Sequence, residues 1–252
     1  MQVENELVSI VTPAYKAESY IAETICSVQA QTYTNWEMLV VEDGSPDDTW
    51  RVVARYAETD SRVKLIRQAN SGPAMARQAS LNHAAGRYLA FLDSDDLWLP
   101  QKLENQLAFM KEHSSVLSYT AFRRITEDGG VVGHLINVPS RMVYRTLLGN
   151  TAIATSTVII DRTKAGPLRM TRTYYDDFAL WLSILKRGYT AHGLNEDLMR
   201  YRVLGQSVSR DKRRSMRMVW RAYREIEQLN RLSAASAFIR YAWNAWRKYR
   251  QF

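Results

Sequence analysis

Three carboxylates crowd into four residues at Asp93-Ser94-Asp95-Asp96, directly after the strand-like run Arg87 to Leu92. Like charges this close raise one another's pKa or spread apart unless a cation compensates them, and hard oxygen ligands at a strand end suit Mg²⁺ or Mn²⁺. Alone, the tetrapeptide reads equally as a solvated turn in which Ser94 or Asp96 caps the next helix. Other polar clusters break that tie: Thr12-Pro13-Ala14-Tyr15, Glu42-Asp43-Gly44-Ser45, and Asn70-Ser71-Gly72 with Arg77 each follow an apolar run in the same manner. Asp43 can accept hydrogen bonds from a base or ribose, Tyr15 can pack on a ring, and Arg77 can pair with phosphate oxygens. Each also has an ordinary reading: Gly44 as a turn residue, Pro13 as a strand terminator, Tyr15 as core, Arg77 as an exposed helix cation. Turn chemistry does not account for their recurrence at successive strand ends.

The elements that position these clusters follow from periodicity. Leu7 to Thr12, Trp36 to Val41, Val63 to Arg67 and Tyr88 to Leu92 read as strands. Between them Ile21, Thr24, Ile25 and Val28 recur at helical spacing. Ser45 with Asp48 suggests a capping box for a helix reaching Ala57, and a third helix follows Pro73. Strands alternating with crossover helices require a parallel sheet with right-handed connections, whose ligands gather at the strand C-terminal ends. Further on, Gln101 to His113 reads as a helix. Val116 to Thr126 and Val131 to Ile136 flank an Asp128-Gly129-Gly130 turn signal. Asp176 to Arg187 is the clearest later helix, with Phe178, Trp181, Leu182 and Leu185 on one apolar face. Asp176 and Asp177 at its start read, on position alone, as acids favoured by the helix dipole.

The segments VSIVTPAYKAESYI, VVEDGS, NSGPAMARQAS, FLDSDDLW, YYDDFALWLSILKRG and MRYRVLGQSVS occur in the order used by the family 2 glycosyltransferases, which the chain resembles from about Val8 to Ser209. The resemblance implies the GT-A fold, an α/β, Rossmann-like and mostly parallel sheet flanked by helices, here with a helical C-terminal extension. Residues 1–209 would be the GT-A domain (1–96 the nucleotide-binding half, 97–209 the acceptor-binding half) and 210–252 the basic, aromatic extension. The implied activity is inverting, metal-dependent transfer of a sugar from a nucleotide sugar, a UDP-sugar by family preference, to a saccharide acceptor. That acceptor would be lipid-linked and the setting bacterial surface-polysaccharide synthesis.

Carried over by position, the resemblance places Thr12, Ala14 and Glu42 or Asp43 around the nucleoside, with Asp43 on the base. Asp93 and Asp95 form the family's DxD motif around Ser94: Asp95 is a ligand of Mn²⁺ or Mg²⁺, and Asp93 lies near ribose or metal. Asp177 is the implied base, since a sugar hydroxyl is a poor nucleophile until a carboxylate in hydrogen-bond reach takes its proton. Metal and Arg77 would offset charge on the leaving diphosphate. Asp176, Trp181, Arg202 and Ser209 fall on the acceptor or phosphate side. One departure is Leu204, in Tyr201-Arg202-Val203-Leu204, where many members carry a metal- or phosphate-binding histidine. Coordination would then rest on Asp95, diphosphate and water, with Ser207, Ser209 or Arg210 available to the phosphates.

The net charge of +8 is unevenly spread: Arg210 to Phe252 holds 12 Lys or Arg against 3 acids, so the preceding residues are close to neutral. A basic tail attracts any polyanion, but the body lacks a basic patch or recognition motif, so nucleic acid is not an expected partner. Val219, Trp220, Tyr223, Ile226 and Leu229, then Phe238, Tyr241, Ala242, Ala245, Trp246 and Tyr249, recur at helical spacing among the cations. Such helices suit an anionic membrane surface, or pack on their own domain or on a second subunit in a homo-oligomer. No apolar run approaches the ~20 residues of a membrane span, and the acidic start MQVENELVSIV is unlike a secretory signal. The expected location is cytoplasmic, peripheral on the inner membrane face. Cys26, the only cysteine, is expected to be a packed, reduced thiol. Two rival readings are a nucleotidyltransferase, for which no glycine-rich, lysine-bearing loop follows the first strand, and a non-catalytic membrane- or nucleic-acid-binding module.

Overall fold

The computed structural model describes residues 6–150, 152–173, 175–205 and 212–249, with side chains from 216 to 244 in the last segment. In chain order come β1 (Val8–Ala14), α1 (Ile21–Gln29), β2 (Trp36–Glu42), α2 (Thr49–Thr59), β3 (Val63–Arg67), α3 (Pro73–His83) and β4 (Tyr88–Phe91). Next are β5 (Leu97–Trp98), α4 (Lys102–Glu112), β6 (Leu117–Ile125), β7 (Val132–Ile136), β8 (Arg141–Met142), α5 (Tyr144–Leu147), a 3-10 turn (Thr155–Thr157) and β9 (Ile159–Asp161). Then follow α6 (Arg162–Ala165), α7 (Asp176–Leu185), β10 (Ala191–Arg202), α8 (Lys212–Arg221), a π-helical turn (Ala222–Ile226) and α9 (Arg231–Tyr249).

The main sheet runs β3-β2-β1-β4-β9-β6-β10-β5, with β7 added to β6 and β8 to β10. Its first four strands are mutually parallel, so the clusters that close β1, β2, β3 and β4 share one edge, as the alternating pattern requires. β9 runs antiparallel to both β4 and β6, joining that half to the parallel pair β6 and β10. β1 and β2 are apolar almost throughout because both faces are covered. Ile10, Met38, Val40 and Ala90 face α1 and α4; Val11, Leu39, Leu89 and Phe91 face α7 and the tail.

Several local expectations need correction. Ser45 and Asp48 make no capping box: the Asp47 carboxylate accepts from Thr49 N (3.2 Å) and Thr49 Oγ1 (2.6 Å), while Ser45 Oγ accepts from Lys16 N. Ile21, Thr24, Ile25 and Val28 are the buried face of α1, but Cys26 lies on its outer side, exposed, with Sγ 3.4 Å from the Tyr56 hydroxyl. α7 is buried nearly all round, Ala179, Leu180 and Ile184 included, because sheet and tail enclose it. Val219, Tyr223, Ala234, Ala237 and Tyr241 join the same hydrophobic cluster as α7 and β4, so the extension shares the core of the body.

Candidate functional site

The site edge is held by carboxylates that bond inward. Asp43, 2% exposed, accepts from Gln68 Nε2 (2.7 Å), Ser71 N (2.8 Å) and Gly72 N (2.8 Å), fixing the loop between β3 and α3. Only one of its roughly four acceptor positions is left for a ligand. Glu42 is likewise committed, to Ser45 N and to Arg67 Nε at 3.3 Å. Gly44 has φ +65°, and a Cβ there would stand 2.7 Å from Asn70 N, so close approach of the two loops as well as the turn requires glycine. Thr12 and Ala14 are buried beneath the edge, whereas Tyr15, 46% exposed, stands free of the core and can meet a planar ring.

Arg77, which the sequence allowed as a phosphate partner or as an exposed helix cation, is not exposed. It is buried on α3, with Nη2 2.6 Å from Asp93 Oδ1 and Nη1 2.8 Å from Asp176 Oδ2. Both carboxylates hold its pKa above the usual arginine value against the opposing effect of burial. Its work is to pin the loop after β4 to the start of α7. Burial raises the Asp176 pKa and Arg77 pulls it back part of the way, which is how that acid is tolerated in the core.

Asp96, expected at most to cap a solvated turn, is buried. Its carboxylate accepts from Ser156 Oγ at 2.5 Å and Arg202 N at 2.9 Å, and burial with the nearby Asp95 and Asp93 charges drives its pKa up. Ser156 Oγ also accepts from Asp93 N at 3.0 Å. The neighbouring Thr155 hydroxyl donates to Asp177 Oδ2, and Phe178 N donates to Asp177 Oδ1 at 2.6 Å. The 3-10 turn Thr155–Thr157 thus ties the acidic loop to the acid that opens α7. Sequence reasoning missed it; its signal is a run of three hydroxyl residues flanked by Ala154 and Val158.

Ser94 and Asp95 are partly exposed at the tip of the loop, and the Ser94 carbonyl accepts from Thr24 Oγ1 at 3.0 Å. Burial and Asp93 push the Asp95 carboxyl up to about 6, and no described side chain donates a hydrogen bond to it. A partly buried carboxylate with an acidic neighbour and no described side chain bonded to it fits a hard divalent ion. No group of three or more His, Cys, Asp or Glu converges on one point among the described residues, so substrate oxygens and water would have to complete the coordination shell. Leu204 adds no donor, and Ser207, Ser209 and Arg210 lie outside the described residues.

Two acceptor-side expectations change. Trp181 is 1% exposed and packs edge-on against Phe91 at 5.0 Å, a core residue rather than one on the acceptor or phosphate side. Arg202 is buried and spends its guanidinium on Asp95 O (2.9 Å), Glu127 O (2.7 Å) and Glu23 Oε2 (2.5 Å), with its ring-facing side over Tyr20. It supports the acidic loop from behind. Of the acidic pair, Asp176 is buried on Arg77 while Asp177 remains partly exposed, leaving Asp177 as the carboxylate an acceptor can reach. Thr171 to Thr173, just ahead of that pair, line a cleft of about 460 Å³ with Ser71 to Ala74 and, from the tail, Met218 and Arg221. A second cavity, of about 610 Å³, lies against Arg202 among Glu23, Glu127 and Asp128, whose charges disfavour a diphosphate.

A parallel half-sheet whose edge carries an aspartate loop, bridged to a partly exposed acid at a helix start, suits a GT-A glycosyltransferase, and the chain belongs to the family described as Glycosyl transferase family 2, whose profile matches residues 9–175. The chain is 43% identical over 224 residues to TuaG of Bacillus subtilis (strain 168), whose name gives a provisional assignment as a teichuronic acid biosynthesis glycosyltransferase; the match covers 88% of each chain. It is 37% identical over 220 residues to the Escherichia coli enzyme UDP-Glc:alpha-D-GlcNAc-diphosphoundecaprenol beta-1,3-glucosyltransferase WfgD, covering 86% of this chain and 85% of that one. Among solved structures, S. aureus TarS 1-349 in complex with UDP-GlcNAc superposes with a TM-score of 0.71 at 20% identity, over 94% of this chain and 71% of the other. Mannosyltransferase PcManGT from Pyrobaculum calidifontis, in complex with GDP-Man and Mn²⁺, gives 0.71 at 18% identity over 94% and 69%. The fold is GT-A and the protein is a glycosyltransferase, which sets aside the nucleotidyltransferase and the inactive scaffold.

Proposed function

We propose that this enzyme transfers a hexose from a UDP-sugar, with inversion, to a saccharide carried on a lipid diphosphate, in the building of a bacterial surface polysaccharide. The observation that carries the reading is the placement of Asp177: partly exposed, its oxygens aimed by Thr155 and Phe178 N, and joined through Ser156 to the Asp93–Asp96 loop. The acceptor hydroxyl attacks the anomeric carbon while Asp177 takes its proton; the bond from that carbon to the diphosphate oxygen breaks, and its electron pair leaves with the nucleoside diphosphate. A single displacement inverts the anomeric centre. Asp95, with Asp93 beside it, would hold Mn²⁺ or Mg²⁺, which when bound offsets the charge gathering on the leaving diphosphate. Tyr15, the loop fixed by Asp43, and the edge above Thr12 and Ala14 form the surface on which the nucleoside would lie.

The donor and acceptor classes are supported by the names of WfgD and of WfaP, a second E. coli glucosyltransferase named for UDP-Glc and a GlcNAc-diphosphoundecaprenol acceptor, 38% identical over 208 residues. A panel of nucleotide sugars, each with and without Mn²⁺ or Mg²⁺, tests the donor. Release of UDP from one UDP-sugar, faster with metal and faster again on adding a diphosphate-linked GlcNAc lipid, is expected. Turnover of GDP- or TDP-sugars alone would reject the uridine assignment, and full activity in chelator would reject the metal.

A further inference from the structure

The tail has two faces, and the one legible in sequence is not the one that meets solvent. Val219, Tyr223 and Tyr241, prominent in the aromatic repeat, are buried against the body, and the Trp220 ring sits edge-on to Phe238 at 5.7 Å. The packing is anchored by polar contacts. Tyr223 OH donates to Leu148 O, Asn244 Nδ2 to Gly149 O (2.8 Å), and Tyr144 OH and Lys186 Nζ to Glu227 Oε2 (2.6 and 3.0 Å). These contacts fix which side of α9 points outward.

On that side stand Leu232, Ile239 and Trp243, 85%, 68% and 59% exposed. At 3.6 residues per turn, positions seven and eleven residues apart fall within about 20° of one line, while Ala234, Ala237 and Tyr241 lie on the opposite, buried side. Only Ala235 and the exposed Ser236 intervene, so the outward stripe carries no charge between Leu232 and Trp243. Cations stand beside it on the same helix: Arg231 and Arg240 are both exposed, and Arg217, Arg221 and Arg224 are exposed on the preceding helical turns of the tail. Of the described acids of the tail, Glu225 pairs with Arg221 at 3.0 Å and Glu227 is buried on Lys186 and Tyr144, so neither is spent on Arg231 or Arg240.

We infer that the outward face of α9 docks the enzyme on an anionic lipid surface, Leu232, Ile239 and Trp243 entering the headgroup layer and the flanking arginines meeting lipid phosphates. Exposed leucine and isoleucine in a row have no use in contacting a nucleic-acid backbone. An amphipathic helix with apolar groups on one side and arginines beside them gains at a membrane interface from both sets. No described helix is long and apolar enough to cross a membrane. The inference deepens the proposed function by setting the enzyme beside a lipid-borne acceptor. It is read by binding alone, so it stands or falls apart from donor and acceptor chemistry.

The test is cosedimentation of the full chain with vesicles of about one-third phosphatidylglycerol in phosphatidylcholine, compared with phosphatidylcholine alone, at low salt and at about 1 M salt, where the screening length is about 3 Å. The wild-type protein is expected to bind the anionic vesicles, more weakly at high salt and much more weakly to phosphatidylcholine. L232D and I239D are each expected to weaken binding about tenfold, given what burial of one such side chain is worth. Both positions are exposed and far along the chain from the donor edge, so slow hydrolysis of a soluble nucleotide sugar should be unchanged in both, which shows that the variants are folded. Wild-type protein left in the supernatant, or variants that bind as well as wild type, would overturn the inference. So would a dimer in sedimentation velocity that L232D and I239D convert to monomer without any vesicle binding, since the face would then cover a second copy of the chain.

Discussion

Replacing Arg77 by methionine should unlock the two acidic clusters from each other. The guanidinium reaches Asp176 Oδ2 at 2.8 Å and Asp93 Oδ1 at 2.6 Å, with side-chain exposures of 9% for Arg77, 4% for Asp176 and 31% for Asp93. Removing one partner of a buried pair costs about 3–5 kcal/mol, because the remaining charge stays desolvated and unpaired. The second bridge, to a carboxylate already a third exposed, adds about 1 kcal/mol at most. R77M should therefore lose about 3–5 kcal/mol, a large share of the roughly 5–15 kcal/mol typical of a folded domain. The pH dependence has a definite sign. Without Arg77, the folded-state pKa of Asp176, already raised by burial, rises further above its unfolded value. The deficit is then full at neutral pH and shrinks as pH falls toward that pKa and the acid takes up a proton. Urea unfolding followed by tryptophan fluorescence at pH 7 and pH 5 measures both effects, and R77M/D176N should recover part of the loss. A deficit under about 1 kcal/mol, or one that does not change with pH, would refute the reasoning that this pair is buried and mutually dependent.

Ser156→Ala removes the 2.5 Å donor to buried Asp96 and the acceptor for Asp93 N; a loss of about 1.5–3 kcal/mol in urea unfolding is expected, with a higher KM for the donor. Lys102 is fully buried, its Nζ without a hydrogen-bond partner and 3.8 Å from the Trp98 ring centroid, and burial drives its pKa well below the ordinary 10.5. Below that ordinary value the unfolded chain binds a proton that the folded chain resists, so wild-type stability should fall as pH drops from about 10.5 toward neutrality. Lys102→Met should remove that slope and gain about 1–2 kcal/mol at pH 7. Gly193→Ala places a Cβ 2.2 Å from Pro139 O, a clash between β10 and the backbone ahead of β8, and should cost about 1–3 kcal/mol by the same assay.

The parallel half of the sheet was legible because its strands and helices obey local periodicity: four strands and three helices lie where alternation and spacing put them. Their C-terminal clusters share an edge by topology alone, so Asp43, Asp93 and Asp95 could be set on that edge before any contact was known. The role of Arg77 was not legible, because the partner that redirects it, Asp176, is 99 residues away. The same holds for Asp96, whose carboxylate accepts from Ser156 Oγ and Arg202 N, and for Arg202 itself, which reaches back to Glu23. β9 and β10 escaped because a three-residue antiparallel bridge has too few residues to show alternation, and β10 is interrupted by register shifts on either side of Asp197. In the tail the spacing showed helices correctly, but periodicity cannot say which face a body will cover.

The account rests on Asp177 as the group that takes the acceptor's proton. The most direct measurement is sugar transfer to a diphosphate-linked acceptor by D177N, beside donor affinity measured calorimetrically with the same protein. Transfer should fall by about 10²–10⁴, the usual contribution of a general base, with donor binding within a few-fold of wild type. Transfer by D177N at a rate close to wild type would contradict the assignment and move the proton acceptor elsewhere in the site.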